Sequence, residues 1–168
     1  MAAANTYVPI ATTNLSSAAT DYTFTSISGS YTHLGIMMVG GSTTATYSVT
    51  IYWNGGTGAY NHGATRTIVI NAGTLSHYNY TGQLGSPIMY DGWDSTSRNG
   101  YVNVLFPFYT SSVAKTAIAK ATSGVFRETG IAGLGTAATT PITSIKISAS
   151  GTTFVTGTTL TLFGILEA

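Results

Sequence analysis

The stretch Thr46-Tyr47-Ser48-Val49-Thr50-Ile51-Tyr52-Trp53-Asn54-Gly55-Gly56 decides the fold class. Tyr47, Val49, Ile51 and Trp53 fall on one phase, and Ser48, Thr50 and Tyr52 on the other. A period of two places successive side chains on opposite faces of a strand. Asn-Gly-Gly then supplies residues that tolerate positive φ, the signal of a hairpin turn.

The same reading extends in both directions. Toward the N-terminus, Tyr31–Val39 reads as a mostly apolar strand. Thr20–Ile27 alternates, with Tyr22 and Phe24 on one face. Thr6–Thr13 is extended, and Pro9 marks it as an edge or an early strand position. Toward the C-terminus, Thr65–Ile70 and Thr74–Tyr80 read as strands. Tyr101–Tyr109 places Val102, Val104, Phe106 and Phe108 on one face. Val113–Ala121 alternates and lies between β segments, which favours strand over its alanine-driven helical potential. Ile142–Ser148 alternates through Ile145 and Ile147. Thr152–Leu166 closes the chain with Phe154, Leu160, Leu162 and Gly164 in phase. No segment carries a capped 3.6-residue period. The expected fold is all-β: an antiparallel, jelly-roll-like β-sandwich of about 8–10 strands. Residues 1–168 read as one domain, with segment 1–13 as an extended arm and the last strand pairing with an early one.

Composition narrows the function. Of 168 residues, 31 are Thr, 17 are Ser, 20 are Gly and only 11 are charged. Soluble domains average about 25% charge; this chain has 7%, with a net charge of +1. Its 43% hydrophobic content is enough for a core. Arg66, Arg98, Lys115, Lys120, Arg127 and Lys146 are scattered, whereas nucleic-acid binding needs clustered cations. The longest apolar run, Leu34–Val39, is too short to span a bilayer. Nucleic acid and membrane are therefore not expected partners. The absence of cysteine removes disulfides and thiolate metal sites. Three Lys and two Glu are too few to guard many strand edges. The expectation is a neutral, hydroxyl-faced shell whose edges are covered by other protein.

Catalytic patterns are sparse. No G-x-S-x-G turn occurs. His33, His62 and His77 have no metal-ligand spacing, and His33 reads as a packed or hydrogen-bonded side chain. The glycines of Gly130–Gly135 do not follow the dinucleotide order. No enzyme activity, cofactor or metal is expected. The irregular stretch Thr81–Asn99 reads as the longest loop. With its flanks it gathers Tyr78, Tyr80, Tyr90, Asp91, Trp93, Asp94 and Tyr101. Aromatic faces beside carboxylates suit a partner or a sugar ring, so these seven residues are the candidate contact site.

Six segments, in order, resemble a family of small tail-phage virion proteins labelled tail-fibre-like or decoration proteins. They are Tyr7-Val8-Pro9-Ile10-Ala11-Thr12, Leu15-Ser16-Ser17-Ala18, Phe24-Thr25-Ser26-Ile27, Tyr31-Thr32-His33-Leu34, Ile142-Thr143-Ser144-Ile145 followed by Phe154-Val155-Thr156-Gly157, and Leu160-Thr161-Leu162-Phe163-Gly164-Ile165. The match covers both ends and leaves about Asn54–Gly135 unmatched. The resemblance implies a β-sandwich that forms a homotrimer on a bacteriophage virion assembled in the host cytoplasm. The lack of a coiled-coil or β-helical shaft departs from a complete tail fibre. It favours a capsid decoration, or cement, protein that binds the major capsid protein lattice. The alternative is a receptor- or host-glycan-binding head on a tail appendage.

Overall fold

The computed structural model describes residues 6–43, 48–55, 62–69, 75–83, 86–89, 100–122, 130–136 and 139–166. Among them run twelve strands: β1 (Tyr7–Asn14), β2 (Asp21–Phe24), β3 (His33–Gly40), β4 (Ser48–Trp53), β5 (His62–Val69), β6 (Leu75–Gln83), β7 (Ser86–Met89), β8 (Gly100–Phe106), β9 (Lys115–Thr122), β10 (Gly130–Thr136), β11 (Ile145–Ser150) and β12 (Thr159–Ile165). They form two sheets. One has the order β1-β12-β3-β8-β9-β10-β5-β6 and the other β2-β11-β4-β7. Every pairing is antiparallel.

The order contains a jelly roll. Without the paired strands β5–β6 and β9–β10, the sheets are β1-β12-β3-β8 and β2-β11-β4-β7. The chain crosses between sheets at each step except from β4 to β7, which pair with each other, as in a double Greek key. The two inserted pairs extend the first sheet beyond β8. The expected sandwich is thus present, with twelve strands in place of 8–10. The added strands are β7, hidden in the stretch read as a loop, and the glycine-rich β10. The last strand does pair with early ones, since β12 lies between β1 and β3. Of the segment read as an arm, residues 7–13 lie in β1, which pairs with β12 with one register shift between Pro9 and Ala11.

Alternation fills the space between the sheets. Leu34, Ile36 and Met38 of β3, Leu160 and Leu162 of β12, and Val102, Val104 and Phe106 of β8 are buried. They meet Val49, Ile51 and Trp53 of β4 and Ile145, Ile147 and Ala149 of β11. Burying Phe106 contributes about 1.5–3 kcal/mol. Its ring meets Trp53 edge-on at 5.7 Å and 85°, joining the two sheets.

Two expectations are corrected. Asn54 and Gly55 have positive φ, 54° and 67°, but they do not turn a hairpin. β4 pairs with β11 and β7, and the next strand belongs to the other sheet. Asn54 works instead as a clamp. Its Oδ1 accepts Thr143 N–H at 2.7 Å and its Nδ2 donates to Pro141 O at 2.7 Å, fixing the approach to β11. Phe108 also leaves the face it was assigned. β8 ends at Phe106, Phe108 turns outward at φ 46°, and Tyr109 is the residue buried.

Candidate functional site

The two outer faces of the sandwich differ in chemistry. On the four-stranded sheet the outward positions are Asp21 and Thr23 of β2, Lys146, Ser148 and Ser150 of β11, and Thr50 and Tyr52 of β4. Lys146 Nζ lies 4.5 Å from the centre of the Tyr52 ring. That face is polar, as the composition predicts.

The outer face of the eight-stranded sheet carries an apolar band over β1, β12, β3, β8 and β9. One register row crosses five strands as Pro9, Phe163, Gly35, Leu105 and Ile118, without a polar side chain. Ile118 is 51% exposed. Around Gly35 the face is hollowed to about 410 Å³ between Tyr7, Met37, Leu105, Phe163 and Ile165, with Asn103 at one end. An antiparallel sheet that meets water on one side normally alternates cleanly between apolar and polar. A fully apolar row on the outward side is the pattern of a covered sheet, and contiguous apolar patches mark contact surfaces.

Polar groups border this band. Thr12 Oγ1 donates to Thr161 Oγ1 at 3.2 Å, and Asn14 Nδ2 donates to Thr159 Oγ1 at 3.1 Å. Asn103 Nδ2 donates to Tyr101 Oη at 3.0 Å. An apolar centre with a hydrogen-bonding rim is how protein interfaces are organised. Lys120, which pairs with Asn103, is the one cation at an outward position of β1, β12, β3, β8 and β9.

Gly35 separates this site from ordinary packing. A Cβ added at Gly40 would collide with Thr158, and one at Gly164 with the Tyr31 ring, so those glycines are required inside the protomer. A Cβ at Gly35 would meet nothing nearer than 3.8 Å. Among the described residues nothing demands glycine there, although glycine in a strand costs about 0.5–1 kcal/mol relative to alanine. Its effect is to leave the floor of the hollow open.

Two further ionisable side chains on this sheet, Lys115 and His33, are held in internal contacts. Lys115 is buried on the inner side at the start of β9. Its Nζ donates to Ser111 O, to Val113 O at 3.0 Å and to Thr139 O at 3.4 Å, pinning two loops. Burial pushes its ammonium below the usual value. His33 is hydrogen-bonded, as the sequence suggested, and accepts Phe108 N–H at its Nδ1. Among the described residues no three His, Asp or Glu side chains gather as a metal would require.

Of the seven residues expected to form a contact site, Tyr90, Asp91, Trp93 and Asp94 lie outside the described residues. Tyr78 and Tyr80 are register positions of β6, paired with Arg66 and Ala64. Tyr101 lies on β8, paired with Val39 and Thr122. β9, β10 and β5 intervene between β8 and β6, a separation of about 19 Å at the usual strand spacing. Tyr101 instead stands at the rim of the apolar band. The band itself was missed in the sequence. The available signal was the unbroken apolar run of β3, which a sheet with one wet face does not need.

No protein family and no curated protein matches this chain. Among solved structures it is similar to a toad ovary galectin in complex with thio-digalactose. The likeness spans 86% of this chain and 98% of that one, at 12% identity and a TM-score of 0.34. A likeness at that level carries no argument about this protein.

Proposed function

We propose that the protein is a non-enzymatic structural protein that acts by adhesion, seating the outer face of its eight-stranded sheet against other protein. The observation that supports this is the row Pro9–Phe163–Gly35–Leu105–Ile118, apolar across five strands on the outward side. The scarcity of ions fits the same use, because few charges must lose water when the face is covered. The resemblance of both chain ends to small phage virion proteins supplies the setting: a capsid decoration protein that bridges and reinforces the lattice. A glycan-binding head is the weaker reading, since the hollow offers few polar groups besides Asn103 and the Tyr7 hydroxyl.

Salt separates adhesion by apolar contact from adhesion by charge. At about 1 M salt the screening length falls to about 3 Å and ionic contacts weaken. Particles carrying the protein are washed at that salt and sedimented. The protein is expected to stay with them, and its release into the supernatant counts against the proposal.

A further inference from the structure

The outward row that crosses the hollow is complementary in size to itself. Continued past Ile118 it reads Pro9, Phe163, Gly35, Leu105, Ile118, Gly133. One strand further, at Thr65 of β5, the row has seven members, and its middle strand is β8, which carries Leu105. Two places are equidistant from it on either side: Gly35 on β3 against Ile118 on β9, and Phe163 on β12 against Gly133 on β10. Each pair joins a large residue to a glycine.

We infer that the partner of this face is a second copy of the chain, bound about a two-fold axis that runs parallel to the strands over β8. Such an axis exchanges β3 with β9 and β12 with β10 while keeping each row level. Ile118, which is 51% exposed, then enters the hollow above Gly35 of the other copy. Phe163 lies over the other copy's Gly133. Leu105 meets Leu105. Gly35, which nothing among the described residues demands, and Gly133 of β10 acquire one shared reason: they are the sockets for side chains of an identical neighbour. Isologous contacts require this reciprocity, in which residue i meets j and j meets i.

Charge and area agree. Lys120 is placed opposite Met37, so its ammonium does not face its own copy. The polar pair Asn103 and Tyr101 stays near the axis beyond the apolar row. Five strands seven residues long cover about 24 Å by 23 Å, which is about 550 Å² per copy and about 1,100 Å² in total. That clears the roughly 1,000 Å² expected of a specific interface.

This inference deepens the adhesion proposal by naming one occupant of the face. It rests on the reading of that face as a contact surface, but its test needs no particle. The chain has no cysteine, so a single Leu105→Cys gives cross-linking only between copies. Purified Leu105→Cys, treated with a short thiol-to-thiol reagent, is expected to run almost entirely as a covalent dimer. Thr23→Cys, on the polar outer face of the other sheet, is expected to remain monomeric. Light scattering on the unmodified protein is expected to give twice the 17.4 kDa protomer mass. Gly35→Leu, which fills the socket, is expected to weaken association at least tenfold while keeping the β circular-dichroism spectrum. A monomeric mass at about 100 μM, well above typical specific dissociation constants, overturns the inference. So does a three-protomer mass, or equal cross-linking at positions 23 and 105. In each case the salt-resistant attachment of the previous section stands or falls on its own measurement.

Discussion

His33 Nδ1 accepts the backbone N–H of Phe108 at 3.0 Å, and the two rings meet edge to face at 4.7 Å and 79°. Through this pair the first residue of β3 holds the turn that follows β8. Phe108 has φ 46° and is 54% exposed. A non-glycine residue in the left-handed region costs roughly 1–2 kcal/mol, and here the His33 acceptor opposes that cost. The carbonyl of Phe108 is held as well, by Ser111 N–H at 3.0 Å and Ser111 Oγ at 2.7 Å.

Removing the acceptor frees the turn. His33→Leu is expected to lower unfolding free energy by about 0.5–1.5 kcal/mol, the net value of one hydrogen bond. It is also expected to speed hydrogen exchange at the Phe108 amide. Unchanged exchange at that amide would show that the turn holds itself without His33.

Tyr109 links acidity to stability. Its Oη donates to Ser28 O and accepts Tyr31 N–H at 3.4 Å. Burial raises its pKa above the usual 10.0, partly offset by the Tyr31 N–H. The folded value therefore exceeds the unfolded one. The stability this confers is complete below pH 10.0 and is lost as pH climbs through the raised folded value. Tyr109→Phe is expected to cost about 1–3 kcal/mol at neutral pH, because the backbone groups of Ser28 and Tyr31 lose their partner, and to flatten the alkaline decline. Denaturant midpoints taken on both sides of pH 10.0 measure both effects. An equally steep alkaline decline in the variant would assign it to another group.

Gly164 is a close approach. A methyl group there would enter the ring of Tyr31, which lies directly over the strand. Gly164→Ala is expected to destabilise by about 1–3 kcal/mol through overpacking. Gly35→Ala, at a concentration that keeps the chain monomeric, is expected to cost nothing. Thermal unfolding of the two variants side by side gives the comparison. Equal losses would mean that Gly35 is needed inside the protomer after all.

The sandwich was legible because its core strands repeat with period two. Val49, Ile51 and Trp53, or Leu160 and Leu162, announce their common face by spacing alone, and Pro9 announced the edge. What spacing conceals is whether the opposite face meets water. Leu105, Phe163 and Ile118 lie on the phase opposite the core, and only register shows that they line up with Pro9 and Gly35 across five strands. Three of the candidate contact residues are divided between strands for a related reason. Proximity in sequence suggested that Tyr78, Tyr80 and Tyr101 belong together, yet the insertion of β5–β6 at the far side of the sheet leaves three strands between β6 and β8. Phe108 was misassigned because alternation is a property of the strand and lapses where the strand stops.

Pro9 governs what kind of object can grow from this chain. Thr6 O accepts Leu166 N–H at 3.0 Å, so by antiparallel alternation the backbone groups of Tyr7 and Pro9 point away from β12. At Pro9 that outward position has no N–H to offer, and between Pro9 and Ala11 the register slips by a residue. A foreign strand laid alongside β1 finds a missing rung and a broken step. Strand addition is disfavoured along this one rim, so a chain almost without charges has at least one edge that resists growth into a fibre.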